Sequence, residues 1–199
     1  MNETEITVQC YNQLKDIKKI LNNQGWFLKN TYQLNDWYYS AKSIEELNNF
    51  SYQDLISNSF LVRQIIENKN ENIQLCYKSK ILDNYGNVIS ENKTKTYVNS
   101  LANTLANTLS IFDLAKLTMW CKIENTSYVF GKDEIEICIQ DISNLGIFIE
   151  FEEYEKIKNL SATQKFNEMK NIIQQLNLSL GNDFSCKKVF LKFKQNKKV

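Results

Sequence analysis

Residues 143–153, SNLGIFIEFEE, alternate between apolar and polar side chains in a way that fits an extended strand. Successive side chains of a β-strand point to opposite faces, so residues two apart share a face. The two faces carry Leu145, Ile147, Ile149 and Phe151 on one side, and Gly146, Phe148, Glu150 and Glu152 on the other. The first face is typical of a core, and the second must face water or a positive group.

The same alternation recurs in residues 4–10, 73–82 and 133–140, and residues 60–66 and 93–98 predict two further strands. Residues 26–41 predict a strand pair with a turn near Asn35-Asp36, and residues 117–130 predict another pair. KVFLKFK at 188–194 predicts a closing strand. DNYGN at 83–87 predicts a hairpin turn.

Helical spacing of apolar residues interrupts the strands in residues 13–24, where Gly25 ends the helix, and in residues 101–117, with Leu101, Leu105, Leu109 and Phe112 on one side. Ser43 with Glu46 and Ser161 with Gln164 predict capping boxes that begin two more helices. The chain has no proline and no linker-like segment. We therefore expect one α+β domain over residues 1–199, with about eight antiparallel strands and flanking helices.

The composition excludes several kinds of chemistry. The chain has no histidine, which removes Ser-His-Asp and Cys-His nucleophile systems and His-ligated zinc. It has no glycine-rich phosphate-binding loop of the common types. Ionic chemistry must therefore come from carboxylates, Lys and Arg, together with a hard metal such as Mg²⁺ or Mn²⁺.

Charge and cysteine usage indicate the compartment and partners. A net charge of +1 favours neither nucleic acid nor an acidic membrane. No apolar run is long enough to span a bilayer, and the N-terminal residues do not resemble a signal peptide. The five cysteines are widely spaced without a CxxC motif, which predicts reduced thiols in a cytoplasmic protein.

Many strands with one polar face suggest a sheet that closes into a barrel with a polar interior. The interior would then hold Glu5, Arg63, Lys78, Glu150 and Glu152. Buried carboxylates need cations and buried bases need anions, and a metal-bound polyphosphate satisfies both. A closed ionic network without a ligand satisfies them equally well, and a solvated sheet face remains a further alternative.

The order of these motifs resembles the CYTH superfamily, which contains class IV adenylate cyclases, thiamine triphosphatases and other triphosphate tunnel metalloenzymes. The resemblance covers nearly the whole chain, from the acidic first strand through FLVR and YK to LGxFxExE. The last motif is the most specific, and its residues here are Leu145, Gly146, Phe148, Glu150 and Glu152.

The resemblance implies a β-barrel tunnel that binds a triphosphate with Mg²⁺ or Mn²⁺. It implies metal binding by Glu5, Glu150 and Glu152, and phosphate binding by Arg63, Lys78 and, less directly, Lys122. The implied ligand is a phosphorylated small molecule or nucleoside triphosphate. The resemblance is also compatible with a homodimer, since members of the superfamily often form one.

The chain departs from the superfamily at several charged positions. Glu5, Thr7 and Gln9 occupy the positions of the opening ExExK pattern, so one acid and the Lys are missing. Leu61 and Arg63 occupy the positions of the RxR pattern, so one Arg is missing. Neutral Asn125 and Gln140 stand where the superfamily has an Arg and an Asp. We therefore expect a partly eroded tunnel that binds its ligand weakly with little catalysis. The alternative is an active metal-dependent triphosphatase or class IV adenylate cyclase-like enzyme.

Overall fold

A computed structural model describes residues 4–49, 58–82, 88–98 and 104–196. The strands within these ranges are β1 Glu5–Cys10, β2 Phe27–Ser40, β3 Asn58–Glu67, β4 Asn70–Leu82, β5 Val88–Val98, β6 Thr118–Lys132, β7 Ile135–Ile142 and β8 Gly146–Glu152. The helices are α1 Leu14–Asn23, α2 Ile44–Asn48, α3 Thr104–Leu114, α4 Ala162–Gln174 and α5 Lys188–Asn196, with a 3₁₀ turn at Glu155–Ile157. The predicted α+β class with eight strands is confirmed. The predicted turn at 83–87 and the start of the helix at Leu101 lie outside the described residues.

The strands form one sheet in the order β1-β8-β7-β6-β2-β3-β4-β5. Among the described residues this order is linear, so the expectation of a closed barrel is not met. The outer edge of β1 is already occupied by residues 179–186. The Thr7 N–H donates to the Phe184 carbonyl at 3.0 Å, and the Cys186 N–H donates to the Thr7 carbonyl at 3.0 Å. These backbone groups are therefore not available to another strand.

The chain divides into two compact units, one of residues 1–32 and 125–187, the other of residues 33–124 and 188–199. The predicted single domain stays a prediction. In the described part of the chain, no helix is long and apolar enough to cross a membrane.

The core of the first unit lies between one face of the sheet and helices α1 and α4. Its strand residues include Ile6, Val8, Ile149 and Phe151, all at most 1% exposed. The helices contribute Ile17, Leu21, Met169 and Ile173. The apolar face predicted for β8 is thus in the core at Ile149 and Phe151.

A buried ion pair joins α4 to the ends of β1 and β8 in the same unit. Lys165 Nζ lies 2.8 Å from Glu153 Oε2, and both side chains are less than a tenth exposed. The same Glu153 oxygen accepts from the Thr4 N–H at 3.0 Å.

Both predicted capping boxes are present, Ser161 with Gln164 at the start of α4 and Ser43 with Glu46 at the start of α2.

The core of the second unit packs helix α3 against one face of β2, β3 and β4. It contains Trp37, Tyr39, Val62 and Ile73, with Leu105, Leu109 and Phe112 from α3. The Phe112 ring lies 4.8 Å from the Tyr39 ring between centroids. The helical side predicted from the sequence is therefore the packed side, as far as the helix is described.

The predicted turn near Asn35-Asp36 is wrong, because β2 is one continuous strand through these residues. Asp36 lies directly opposite Arg63 on β3 and accepts hydrogen bonds from its Nε and Nη2, both at 2.7 Å. Asn35 Nδ2 donates to Gln64 Oε1 at 2.6 Å. Cross-strand partners thus satisfy two polar residues that usually favour turns. The predicted pair at 117–130 is likewise one strand, β6.

The predicted closing strand is also wrong, because residues 188–196 form helix α5. Val189, Leu191 and Phe193 fit a strand period, but Val189, Phe190 and Phe193 fit a helix equally well. Phe193 is buried and contacts Trp120 edge to face, 5.3 Å between ring centroids. The packing partner therefore decides between two periods that the short sequence leaves equal.

All five cysteines are free thiols, and Cys138 alone among them is half-buried rather than buried. Burial raises the pKa of Cys121 to about 12 and also raises the pKa of Cys10. Both thiols are therefore protonated at neutral pH, which keeps them poor nucleophiles and metal ligands.

We expect Asp36 and Arg63 to be strongly coupled in a double-mutant cycle. Arg63→Ala leaves the Asp36 carboxylate buried and unpaired, and breaking such a pair typically costs about 3–5 kcal/mol. Asp36→Ala/Arg63→Ala should cost less than the two single changes added together. Urea denaturation measures the cycle, and additive costs would contradict it. The exposed pair Lys29–Glu136 is the control, with coupling below about 1 kcal/mol.

We also expect the contribution of Glu153 to stability to depend on pH. Burial alone would raise the pKa of Glu153, but hydrogen bonds from Lys165 and Thr4 outweigh it and hold the pKa below its ordinary 4.5. A lowered pKa stabilises the fold above the unfolded-state pKa, and this contribution is lost as pH falls through the folded-state pKa.

Urea denaturation at several pH values should therefore show wild type more stable than Glu153→Gln at neutral pH, with the difference shrinking below pH 4.5. The exposed Glu134, changed to Gln, is the control and should show little difference at any pH. A Glu153→Gln difference that is constant with pH would contradict the prediction.

Candidate metal centre

Four side chains on the polar face of β1 and β8 form a compact group. Glu5 lies opposite Glu152, and Thr7 lies opposite Glu150. The backbone groups of Thr7 bond outward to Phe184 and Cys186, so Thr7 and Glu150 are a pair without hydrogen bonds between them. Such pairs alternate along antiparallel strands, so Glu5 and Glu152 are another. These pairs bring their side chains closer than hydrogen-bonded pairs do.

The three carboxylates of this group converge. One oxygen from each of Glu5, Glu150 and Glu152 lies within 4.8 Å of the others. Like charges that lie opposite one another destabilise a sheet, and a divalent cation would relieve the repulsion. Carboxylate oxygens are the ligands that Mg²⁺ and Mn²⁺ prefer. The donor set therefore fits a hard divalent cation, and the structure brings together the three residues that the sequence selected as metal ligands.

Tyr32, for which the sequence predicted no functional role, lies beside this cluster. Cys138 is opposite Glu150 on β7, and the Tyr32 hydroxyl lies 3.9 Å from the Cys138 sulfur. Burial raises the pKa of Tyr32 well above its ordinary value, and Cys138 and Glu150 raise it further. Tyr32 therefore remains a neutral hydroxyl near Glu150. Its position in a strand with no charged motif offered no signal.

The next positions on the same face carry buried neutral groups. Ser127 lies opposite Gln140, and Gln140 lies opposite Phe148. Ser127 Oγ donates to Asn125 Oδ1 at 2.7 Å, and Asn125, Ser127 and Gln140 are each at most 8% exposed. The buried amides of Asn125 and Gln140 thus stand at the positions where the sequence resemblance implies an Arg and an Asp.

Arg63 forms an ion pair with a carboxylate within its own unit. Two of its nitrogens bond to Asp36, which is 3% exposed. Burial alone would lower the pKa of the Arg63 guanidinium, but the Asp36 charge and hydrogen bonds outweigh it and the pKa is raised. The sequence offered no indication of this partner, because Asn35 and Asp36 predicted a turn.

The other two predicted phosphate-binding residues are placed differently. Lys78 is in β4, and its backbone lies opposite Ser59 of β3. The structure does not describe its side chain. Lys122 Nζ lies 5.2 Å from the centroid of the Trp37 ring and 2.6 Å from Glu124 Oε1. Trp37 follows Asp36 in β2, so its side chain points to the opposite face. Lys122 Nζ therefore lies beside the face of the sheet that is opposite to the face carrying Asp36 and Arg63.

The three carboxylates belong to the first unit, and Arg63, Lys78 and Lys122 belong to the second. The roles assigned to all six from the sequence remain predictions.

A scan against protein-family models and a search of curated proteins find no match. Solved structures do match. The protein PH1819 from Pyrococcus horikoshii OT3 has a TM-score of 0.69 at 14% identity, with 98% of this chain and 99% of that chain covered. HpAC1 from Hippeastrum, provisionally assigned as an adenylyl cyclase and described as having a dominant triphosphatase activity, has a TM-score of 0.60 at 12% identity. There the coverage is 98% of this chain and 96% of that chain.

A protein of Vibrio parahaemolyticus, provisionally assigned as an adenylate cyclase, has a TM-score of 0.60 at 15% identity, with 89% of each chain covered. Identities this low establish the fold alone. The chain therefore has the CYTH fold that the LGxFxExE motif predicted.

Proposed function

We propose that this protein binds a phosphorylated small molecule or nucleoside triphosphate weakly, together with Mg²⁺ or Mn²⁺, and catalyses little or no turnover. The observation that carries the proposal is the convergence of the Glu5, Glu150 and Glu152 carboxylates within 4.8 Å on the CYTH fold. When bound, the cation would supply positive charge to the phosphate oxygens. Glu5, Glu150 and Glu152 would hold it.

Weak binding follows from the pairing of Arg63 and Lys122, two of the three predicted phosphate-binding bases, with carboxylates. A triphosphate is strongly hydrated, and it needs several positive contacts to replace that hydration. The Arg63 guanidinium is already neutralised by Asp36 at 2.7 Å, and Lys122 pairs with Glu124 beside Trp37. A site with a cation and one or two bases would bind in the range of roughly 10 μM to 1 mM.

Low turnover follows from the neutral positions. Thr7, Gln9, Asn125 and Gln140 stand where the sequence resemblance implies charged groups. Losing one electrostatic partner of a transition state commonly costs about a hundredfold in rate. Losses within one site do not add simply, but several together leave little stabilisation of developing charge.

The second candidate is an active metal-dependent triphosphatase or class IV adenylate cyclase-like enzyme. Two observations favour it: the complete carboxylate cluster and the fold shared with HpAC1, which is described as having triphosphatase activity. In this case the same three glutamates would hold the metal, and Arg63 and Lys78 would contact the phosphates, whereas the position of Lys122 beside Trp37 does not favour its predicted phosphate contact.

We further propose that the protein is a single cytoplasmic domain that does not bind nucleic acid or membranes. The resemblance to the superfamily is compatible with a homodimer. Sedimentation equilibrium of the purified protein tests the dimer.

We expect inorganic triphosphate with Mg²⁺ or Mn²⁺ to raise the melting temperature, with little phosphate release from the same preparation. Asp36→Ala/Arg63→Ala/Lys78→Ala should abolish the shift, because it removes two bases without leaving Asp36 unpaired. Asp36→Ala, which keeps both bases, is the matched control and should retain a shift. Thermal melting and a phosphate-release assay measure the two effects.

Each outcome separates the candidates. Rapid metal-dependent phosphate release that is abolished by Glu150→Gln would support the enzyme and overturn the proposal of low turnover. Absence of a shift with triphosphate, with or without the cation, would overturn phosphate binding and favour the closed ionic network.

A further inference from the structure

Thr7 is the fourth side chain of the group that includes Glu5, Glu150 and Glu152. It is the neutral member of this group and only 4% of its surface is exposed. Its Oγ1 donates a hydrogen bond to Glu5 Oε1 at 3.2 Å. We infer that Thr7 is a positioning residue for the cation site, which holds Glu5 in the orientation that binds the cation. The inference rests on the proposed function.

The backbone holds Thr7 firmly in this place. Its N–H and carbonyl bond to Phe184 and Cys186 on the outer edge of β1, both at 3.0 Å. Its side chain therefore points to the polar face in a close pair with Glu150. A threonine side chain is also restricted at χ1. The hydroxyl is thus presented to the cluster from a fixed position.

Glu5 needs such a partner because it is the first residue of β1 and is exposed. A glutamate side chain loses about 1.5–2 kcal/mol of conformational entropy when it is held in one arrangement. A hydroxyl hydrogen bond to one carboxylate oxygen restricts the side chain before the cation arrives. It leaves the second oxygen of the carboxylate for the cation.

The hydroxyl also makes a different contribution from a fourth acid. Three carboxylates already repel one another on adjacent strands, and an acid at position 7 would add to this repulsion without a cation. A hydroxyl instead adds no charge and donates a hydrogen bond to the Glu5 carboxylate. Partners of this kind typically contribute about 10–100-fold to metal affinity.

The test compares Mn²⁺ binding to the full chain without any phosphate ligand, by calorimetry and by the electron paramagnetic resonance of free Mn²⁺. Thr7→Val keeps the shape but removes the hydroxyl, and should weaken binding by about tenfold or more. Thr7→Ser should restore the affinity. Thr31→Val, at an exposed strand position in the same unit, should bind as wild type does.

Thermal melting in EDTA shows whether each variant is folded. If Thr7→Val does not fold, Thr7→Ala replaces it in the test. Thr7→Val should have no further effect on Mn²⁺ affinity in a Glu5→Gln background if it acts through Glu5. Wild-type affinity in Thr7→Val, or failure of Thr7→Ser to restore it, would overturn the role of Thr7. Absence of Mn²⁺ binding by the wild-type protein would instead overturn the proposed cation site.

Discussion

The pairing of β1 with β8 is the interaction on which the candidate site depends. The register places Glu5 opposite Glu152 and Thr7 opposite Glu150. A shift by one residue would turn these side chains into the core and Ile6 and Val8 out of it. The buried apolar face therefore fixes the arrangement of the polar face. Residues 179–186 on the outer edge of β1 then determine which pairs lie closest.

The three glutamates and Arg63 have different electrostatic surroundings. The three glutamates gather on one face of the first unit, where like charges repel without a cation. Arg63 has its counter-ion in the same sheet, since Asp36 binds two of its nitrogens. A group of carboxylates favours a cation, and an arginine that an aspartate already neutralises contributes less to the binding of a triphosphate. This asymmetry is the physical basis for expecting weak ligand binding.

The wrong expectations share one cause, which is that local preferences were overridden by distant partners. Asn35 and Asp36 favour a turn, but Gln64 and Arg63 bind them in an extended strand. Residues 188–196 fit two periods, and burial of Phe193 against Trp120 selects the helix. Closure of the sheet was expected from polar strand faces alone. Neither the segment that occupies the outer edge of β1 nor its hydrogen bonds could be inferred from those faces.

The sequence by itself determined the strand faces, the two capping boxes and the position of the three glutamates on one polar face. These features depend on residues close together in the chain or on a period of two, so the pattern is sufficient. Only the tertiary structure decided that Glu5 meets Glu150 and Glu152, that Thr7 donates to Glu5, that Asp36 neutralises Arg63 and that Lys122 lies on Trp37. The contacts between strands depend on register, and the contact of Thr7 with its near neighbour Glu5 depends on the side-chain rotamers. Neither register nor rotamer is encoded in the local alternation of polar and apolar residues.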